Sequence, residues 1–444
     1  MIAPLADQAR QLAGAEHVIT DPAALATYTV DGVRPSAVVR PSTAEETGAL
    51  LAAAAKGHAG VLPWGAGVHQ HLGGVPARAD LVIDTTRLTG ITDYEPADYV
   101  VAVRAGTPLR DLQAELRRHT QWLPLDPPGG ATATVGGIIA ANRNGPRRLL
   151  YGSVRDMLIG IRVALPTGET IKAGGKVVKN VAGYDLTKLF IGSHGCAGVI
   201  TEATFKISPF PGDGQTLYVT LPDRATALRL TTAALRSYLL ASALEALNPA
   251  ALQRLSAAAG MPAPPMGRWG ILMLVEGMVE SRQRHIDEMR TLVAAMGNNS
   301  SVEVIDGVWH AALWPAIAEF PSPGEHPQGI VCRAGGPIAR WAEFAAAAES
   351  ACTAGPVEIQ AHAGVGLVYA ACAADDGPAM AAALGAAAEA AGGYAVVEVA
   401  PTALKGDLPL WGAPPGGLDL MRRLREKFDP EAIMIPGRLG WGLS

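Results

Sequence analysis

The sequence predicts an α+β protein of more than one folding unit, and three observations carry that prediction. Residues 36–125 alternate short apolar strands with helical stretches. Residues 126–210 replace that alternation with strands set between glycine pairs. Beyond a Pro/Gly linker at Pro209–Gly214, strands and helices alternate again to about Pro401.

In the first stretch Ala37–Arg40 is a short apolar strand. Ser42 stands three residues before Glu45, a capping-box spacing, and opens a helix expected to run to Lys56. Strands follow at Val61–Leu62 and Leu81–Asp84, and Tyr99–Arg104 alternates as a half-buried strand does. Thr107 and Pro108 suit the N-cap and first turn of a helix reaching about His119. In the second stretch Leu158–Leu165 and Thr170–Ala173 flank the turn composition Pro166-Thr167-Gly168-Glu169, so an antiparallel hairpin is expected, with a further strand at Val199–Ile207. In the third, strands at Thr216–Leu221, Gly270–Glu276, Gly329–Arg333 and Gly366–Ala371 alternate with helices at Ala225–Leu240, Ser281–Met296 and Ile338–Cys352. This reads as an α+β domain with the antiparallel sheet on one side. A basic amphipathic helix, Asp419–Phe428, comes last. The expected division is 1–210, 215–400 and a terminal segment 401–444.

Composition narrows the function. The 444 residues are 49% hydrophobic and 17% charged, which excludes a disordered chain. A formal charge of −5 without a basic run argues against a nucleic-acid binder. No stretch reaches about 18 uninterrupted apolar residues, so no membrane span is expected. Met1–Gly14 holds Asp7 and Arg10 and no apolar core, so no signal peptide is expected. Cys196, Cys332, Cys352 and Cys372 form no C-x-x-C pair, which speaks against an iron–sulfur cluster or a zinc site. Scattered cysteines fit a reducing, cytoplasmic setting.

Three segments carry candidate chemistry. Pro63–Gly74 follows a strand and contains Gly65-Ala66-Gly67. Glycines let several backbone N–H groups approach a diphosphate. Gln70 stands where a Rossmann fingerprint needs its third glycine, so that motif fails and an ordinary tight loop stays open beside a phosphate cradle. Pro127–Asn142 joins hydroxyl residues to Gly136-Gly137 and an apolar run, which could lie flat against a planar ligand or simply start a helix. Lys179–Thr201 carries Gly183, Gly192, Gly195 and Gly198.

In this order and spacing the three segments resemble the FAD-binding module of the vanillyl-alcohol oxidase/p-cresol methylhydroxylase (PCMH) superfamily. Tyr151–Asp156 followed by Val178–Asp185 narrows the resemblance to the smaller, FAD-binding E subunits of bacterial glycolate oxidases. Phe428-Asp429-Pro430 and Pro436-Gly437-Arg438 are similar to the superfamily's terminal return toward the flavin. The resemblance implies a PCMH-type FAD-binding domain of two α/β subdomains plus an α+β cap domain with an antiparallel sheet. It implies that Gly65, Ala66, Gly67, Val68, His69 and Gln70 hold the FAD diphosphate. Thr132, Val135, Gly136 and Gly137 would line diphosphate and flavin ring, with Asn142 nearby. Gly198, Val199 and Ile200 would meet the adenine side, and Tyr151, Gly152 and Asp156 would shape the loop beside the isoalloxazine. Trp64, Pro128 and Arg438 complete the implied cofactor contacts. Val68 stands where members with a covalent flavin carry histidine, so noncovalent FAD is expected.

The resemblance breaks in the third unit. Related 2-hydroxy-acid flavoproteins carry H-x-G-D-G-N-x-H, and the matching stretch here is His362-Ala363-Gly364-Val365-Gly366-Leu367-Val368-Tyr369. One imidazole remains where a metal would need several ligands, so no metal and no assigned catalytic residue are expected. His362 is read as a packed or surface histidine, because Val365 and Leu367 offer it no orienting partner. Arg333 could grip a carboxylate but is read as a surface residue. Arg143, Arg147 and Arg148 could meet FAD phosphates, a partner subunit or water, with water and partner ranked above substrate; His194 is left unassigned. The first functional reading is an FAD-binding subunit of a multi-subunit glycolate oxidase, beside a catalytic flavoprotein subunit and an iron–sulfur subunit, reaching the inner membrane only through partners. The second is a stand-alone FAD oxidoreductase of a small 2-hydroxy acid such as glycolate or D-lactate, with Arg333, His362 and Tyr369 at its site. A module that keeps the fold without FAD ranks third.

Overall fold

Ala37–Val39, Val61–Leu62 and Leu81–Ile83 are buried at every position, the pattern of strands covered on both faces, and they pair in parallel. In the computed structural model, which describes residues 2–130, 132–176, 184–297 and 300–443, they form a four-stranded sheet with Val18–Ile19 added antiparallel at one edge. The helix Ala44–Lys56 packs Leu50, Leu51 and Ala54 into this core. Its cap lies one residue beyond the expected pair. The Thr43 hydroxyl accepts from Glu46 N at 3.0 Å, and the Glu46 carboxylate accepts from Ser42 N at 2.7 Å. Thr107 likewise leaves its expected capping role: its hydroxyl accepts from Gly90 N, and the helix Leu109–Arg117 starts after Pro108.

The second sheet has five strands in the order Ile91–Glu95, Val100–Arg104, Val199–Lys206, Leu158–Ala164, Thr170–Gly174, all antiparallel. The predicted hairpin forms, with Ile161 opposite Ala173. Val100–Arg104 belongs here and not to the first alternating unit, because its ladder partner Val199–Lys206 lies a hundred residues downstream. The second half of the predicted Lys179–Thr201 motif is described, whereas Val178–Gly183 lies outside the described residues.

The third unit is an eight-stranded antiparallel sheet. Its order is Val302–Ile305, Gly214–Leu221, Trp269–Glu276, Ala243–Leu247, Glu358–His362, Leu367–Ala373, Gly329–Gly335, Tyr394–Val399. Helices cover more than the one expected face. Leu217, Ile271 and Met273 pack beneath Arg224–Arg236 and Val279–Ala295, while Leu272 and Leu274 face Pro249–Ala258 and Gly307–Glu319. The reason is compositional: Trp269–Val275 is buried at both parities, so each face of the sheet needs a cover.

The terminal segment returns to the first sheet. After the helix Leu418–Phe428, Val61 N donates to Ile433 O at 2.8 Å and Ile435 N donates to Val61 O at 2.9 Å. Asp429 fixes this return, its buried carboxylate accepting from Ile433 N at 3.0 Å and Met434 N at 2.8 Å. Replacing Asp429 by Ala strands two buried donors and is expected to lower stability by about 2–4 kcal/mol, read as a lower urea midpoint with the m-value unchanged.

Candidate functional site

The strand Val61–Trp64 delivers the loop 65–74 to the end of the first sheet. The loop is held from several sides. Gln70 Nε2 donates to Pro63 O at 2.8 Å, Arg438 Nη2 donates to Gln70 O at 2.6 Å, and His69 Nε2 lies 3.3 Å from Pro128 O. Gly67 has φ +76, where a Cβ would stand 2.7 Å from the Trp64 ring. Thr134 precedes the short helix Val135–Ala141, and a Cβ on Gly65 would collide with its hydroxyl. The third segment docks onto that helix: His194 N donates to Ala140 O at 2.8 Å and Gly192 N to Ile139 O at 3.0 Å. The three separated segments therefore converge on one crevice. Trp64 to Gln70, Gly136, Gly137, Gly198, Val199, Ile200 and Arg438 all line it.

Other sequence-named residues lie elsewhere. Val135 is buried in the core behind the crevice, and Thr132 lines an adjoining groove that shares Ala66 and Thr134. Pro128 contributes its carbonyl to His69. Asp156 closes a capping box with Ser153 over the turn Val154–Met157, and a Cβ on Gly152 would press on that carboxylate. Tyr151 points its hydroxyl to Glu276 of the third unit, 3.2 Å away. These three residues secure a local turn and a junction between units rather than the crevice wall. Thr134, His194 and Trp411 line the crevice and were not singled out for it. Thr134 and His194 at least stood inside the glycine-rich motifs, whereas Trp411 lies in a segment without any motif.

Asn142, in the left-handed region at φ +49, lines a second, more polar cavity of about 290 Å3 that shares Leu72, Ala141, His194 and Trp411 with the crevice. Its wall joins two units. Arg143 Nη1 donates to Glu398 Oε2 at 2.6 Å, and Arg333 Nε donates to Glu398 Oε1. Arg333 is thus a partly buried, paired residue and not the surface arginine expected from sequence. Burial alone would push the Glu398 carboxyl up, but Arg143 and Arg333 outweigh it and hold it at about 2. Burial, then the charges of Arg438 and Arg143, push His194 down to about 4. Of the remaining arginines, Arg147 pairs with Glu276 at 3.0 Å and Arg148 lines the cavity.

His362 is packed, as expected, but it has an orienting partner after all. Glu245, opposite it on the neighbouring strand, lies 2.6 Å from His362 Nδ1 and takes Gln360 Nε2 at 3.2 Å. The partner came from a strand 117 residues away, so the local stretch could not disclose it. His362 lines neither cavity, whereas Tyr369 lines the polar one. Among the described residues no group of three or more His, Cys, Asp or Glu is arranged to hold a metal ion.

The crevice fits FAD by its own chemistry. Thr134 Oγ1 and Arg438 Nη1 are buried at its wall without a hydrogen-bond partner among the described residues, and glycine backbone lines the floor between them. A family described as FAD binding domain matches residues 35–174. The chain has the PCMH-type FAD-binding fold: p-cresol methylhydroxylase with substrate bound superposes with a TM-score of 0.76 over 98% of this chain and 96% of that one, at 16% identity. Among curated proteins, the glycolate oxidase subunit GlcE of Escherichia coli (strain K12) is 47% identical over 123 residues, 28% of this chain and 35% of that protein. The glycolate oxidase subunit GlcD of Bacillus subtilis (strain 168) is 28% identical over 291 residues, 64% of this chain and 62% of that one. The chain thus spans less than two thirds of either relative.

Two outcomes follow from the site geometry. Gly65→Val should fold yet retain less than about a tenth of the wild-type flavin after desalting, measured as absorbance per chain, because its side chain meets Thr134. The Glu398 carboxyl is held at about 2, below its ordinary 4.5. A depressed carboxyl contributes stability that is complete above the unfolded value and is lost as pH falls through the folded one. Lowering pH from 5 to 2 should therefore remove roughly 3 kcal/mol that Glu398→Gln lacks at every pH, read from urea midpoints of both proteins.

Proposed function

We propose that this chain is an FAD-bearing subunit of a multi-subunit oxidase acting on a small 2-hydroxy acid, with glycolate first in line. It receives electrons at its flavin and passes them on, and it does not oxidise the acid unaided. The observation that carries this reading is a contrast within one molecule. The FAD crevice keeps its glycine floor and the donors of Thr134 and Arg438, while the stretch at 362–369 has Val365, Leu367 and Tyr369 and its one imidazole is tied to Glu245. The local identity to GlcE supports the subunit reading.

FAD, when bound, supplies a two-electron acceptor that can also release electrons one at a time. The chain's part is to hold it. Backbone N–H groups of 65–69 would meet the diphosphate, Arg438 would present Nη1, which sits 3.6 Å from Asp31 Oδ2, and Thr134 would present its hydroxyl. Val68 at the position of a covalent histidine fits noncovalent attachment. The partners of this reading are a catalytic flavoprotein subunit and an iron–sulfur subunit, which would take the electrons onward and bring the assembly to the inner membrane from a cytoplasmic setting. No described helix is long and apolar enough to cross a membrane.

The longer alignment with GlcD favours a second reading, a stand-alone dehydrogenase of glycolate or D-lactate. One anaerobic measurement separates the two. The purified chain should show flavin bands, release FAD on acid precipitation, and keep its absorbance after glycolate or D-lactate is added. Bleaching within seconds by either acid would replace the first reading with the second.

A further inference from the structure

Two neighbouring turns at one corner of the third unit hold apolar side chains out of the surface. Tyr238 and Leu240 stand in the turn between the helix Arg224–Arg236 and the strand Ala243–Leu247. Met278 and Val279 stand where the strand Trp269–Glu276 gives way to the helix Val279–Ala295. The two turns are tied together. Ser242 N donates to Leu274 O at 2.8 Å, Leu240 N donates to His285 Nε2 at 3.1 Å, and Arg284 Nη2 donates to Tyr238 O at 3.2 Å. Yet the four side chains stay open to water, Val279 the least at 65% and Tyr238 the most at 83%.

Single exposed apolar residues are ordinary, but four large ones on two joined turns mark a contact site. Residue choice points the same way. Met278 occupies the N-cap of its helix, where Ser, Thr, Asp or Asn would bond a free N–H, and its side chain makes no cap. Arginines surround the apolar tips. Arg236 and Arg284 are exposed, Arg282 is half-buried one turn after Met278, and none has an ion-pair partner among the described residues. Across 236–241 and 277–284 three arginines stand against one carboxylate, Glu280, in a chain whose formal charge is −5.

The shape of the site selects its partner. Protein interfaces draw their energy from anchors centred in a closely packed patch. Here the apolar groups are the tips of two turns with cationic heads around them. That arrangement sinks side chains into the boundary between headgroups and acyl chains while arginines meet anionic lipid. Tyr238 suits this depth, with an apolar ring and a polar end.

We propose that this corner of the third unit is a peripheral membrane contact. Tyr238, Leu240, Met278 and Val279 enter the headgroup boundary of an anionic bilayer, and Arg236 and Arg284 pair with its phosphates. The contact is the chain's own, additional to any made through partners. It reaches only the interface, and no described helix is able to span the bilayer. None of these six residues lines the crevice or the polar cavity, so flavin binding does not depend on it.

The test is sedimentation of the full FAD-loaded chain with vesicles of phosphatidylcholine carrying about 30% phosphatidylglycerol, beside vesicles of phosphatidylcholine alone. The expected result is saturable binding to the anionic vesicles, at least about tenfold stronger than to the neutral ones and weakened by added salt. Leu240→Asn with Met278→Asn removes the apolar tips without changing charge, and Arg236→Gln with Arg284→Gln removes charge and keeps the tips. Each pair should weaken binding to anionic vesicles at least about tenfold while flavin per chain is unchanged. Asn at 278 also supplies the missing cap, so the first pair should be no less stable to urea than the wild type. Should that pair fail to fold, the arginine pair decides. Four results overturn the proposal: no sedimentation with anionic vesicles, equal binding to both vesicle types, a folded variant pair that binds as the wild type does, or self-association in place of vesicle binding that the asparagine pair abolishes, which would make this face a protein contact.

Discussion

Three stretches of backbone meet at the crevice at distances that side chains would forbid, and the rest of the molecule is arranged around that approach. A Cβ on Gly65 would enter the Thr134 hydroxyl, one on Gly136 would lie 2.9 Å from the Ala105 Cβ, and one on Gly198 would lie 2.6 Å from Ala164 O. Gly198 also has φ +134, which an L-residue rarely adopts. The close approach does two things at once. It packs the parallel sheet against the five-stranded sheet, and it leaves glycine backbone, the Thr134 hydroxyl and the Arg438 guanidinium at the wall of a common cleft. The return of Ile433–Ile435 to Val61 and of Arg438 to Gln70 then closes the arrangement from the far end of the chain.

Charge ties the third unit to this platform. Arg143–Glu398, Arg147–Glu276 and the Gly129 N–H to Glu319 at 2.6 Å all cross between units, and the first of these is almost wholly buried. Such pairs gain little net stability over an apolar contact, but removing one partner leaves an uncompensated charge, so they set orientation more than strength. Here the orientation places Tyr369, Tyr394 and Glu398 beside the mouth of the crevice. The polar cavity is consequently walled by groups from both units at once.

Much of the fold was legible in residue order because its cues are local. The 158–174 hairpin has its turn residues between its strands, and the helix Ala44–Lys56 announces itself within one residue of its cap. What escaped was non-local. Val100–Arg104 reads as part of the first alternating stretch, yet its partner strand is Val199–Lys206. Ala243–Leu247 and Glu358–His362 are short and carry polar residues, and only their mutual pairing gives Glu245 and His362 a reason to be buried. Trp411 reaches the crevice from a segment with no periodicity, through packing against His194.

The order of residues by itself determined that glycine-rich segments would stand at three places, the first directly after a strand, that the stretch at 362–369 keeps a single histidine, and that an antiparallel sheet would follow the linker. These are statements about neighbours in the chain, and local sterics and alternation suffice for them. Tertiary structure alone decided that the three segments share a cleft, that His362 answers to Glu245, and that Arg143, Arg148 and Arg333 gather around one carboxylate. Each of those depends on contacts between residues tens to hundreds of positions apart. A lone arginine in a sequence looks the same whether it will face water or a buried glutamate.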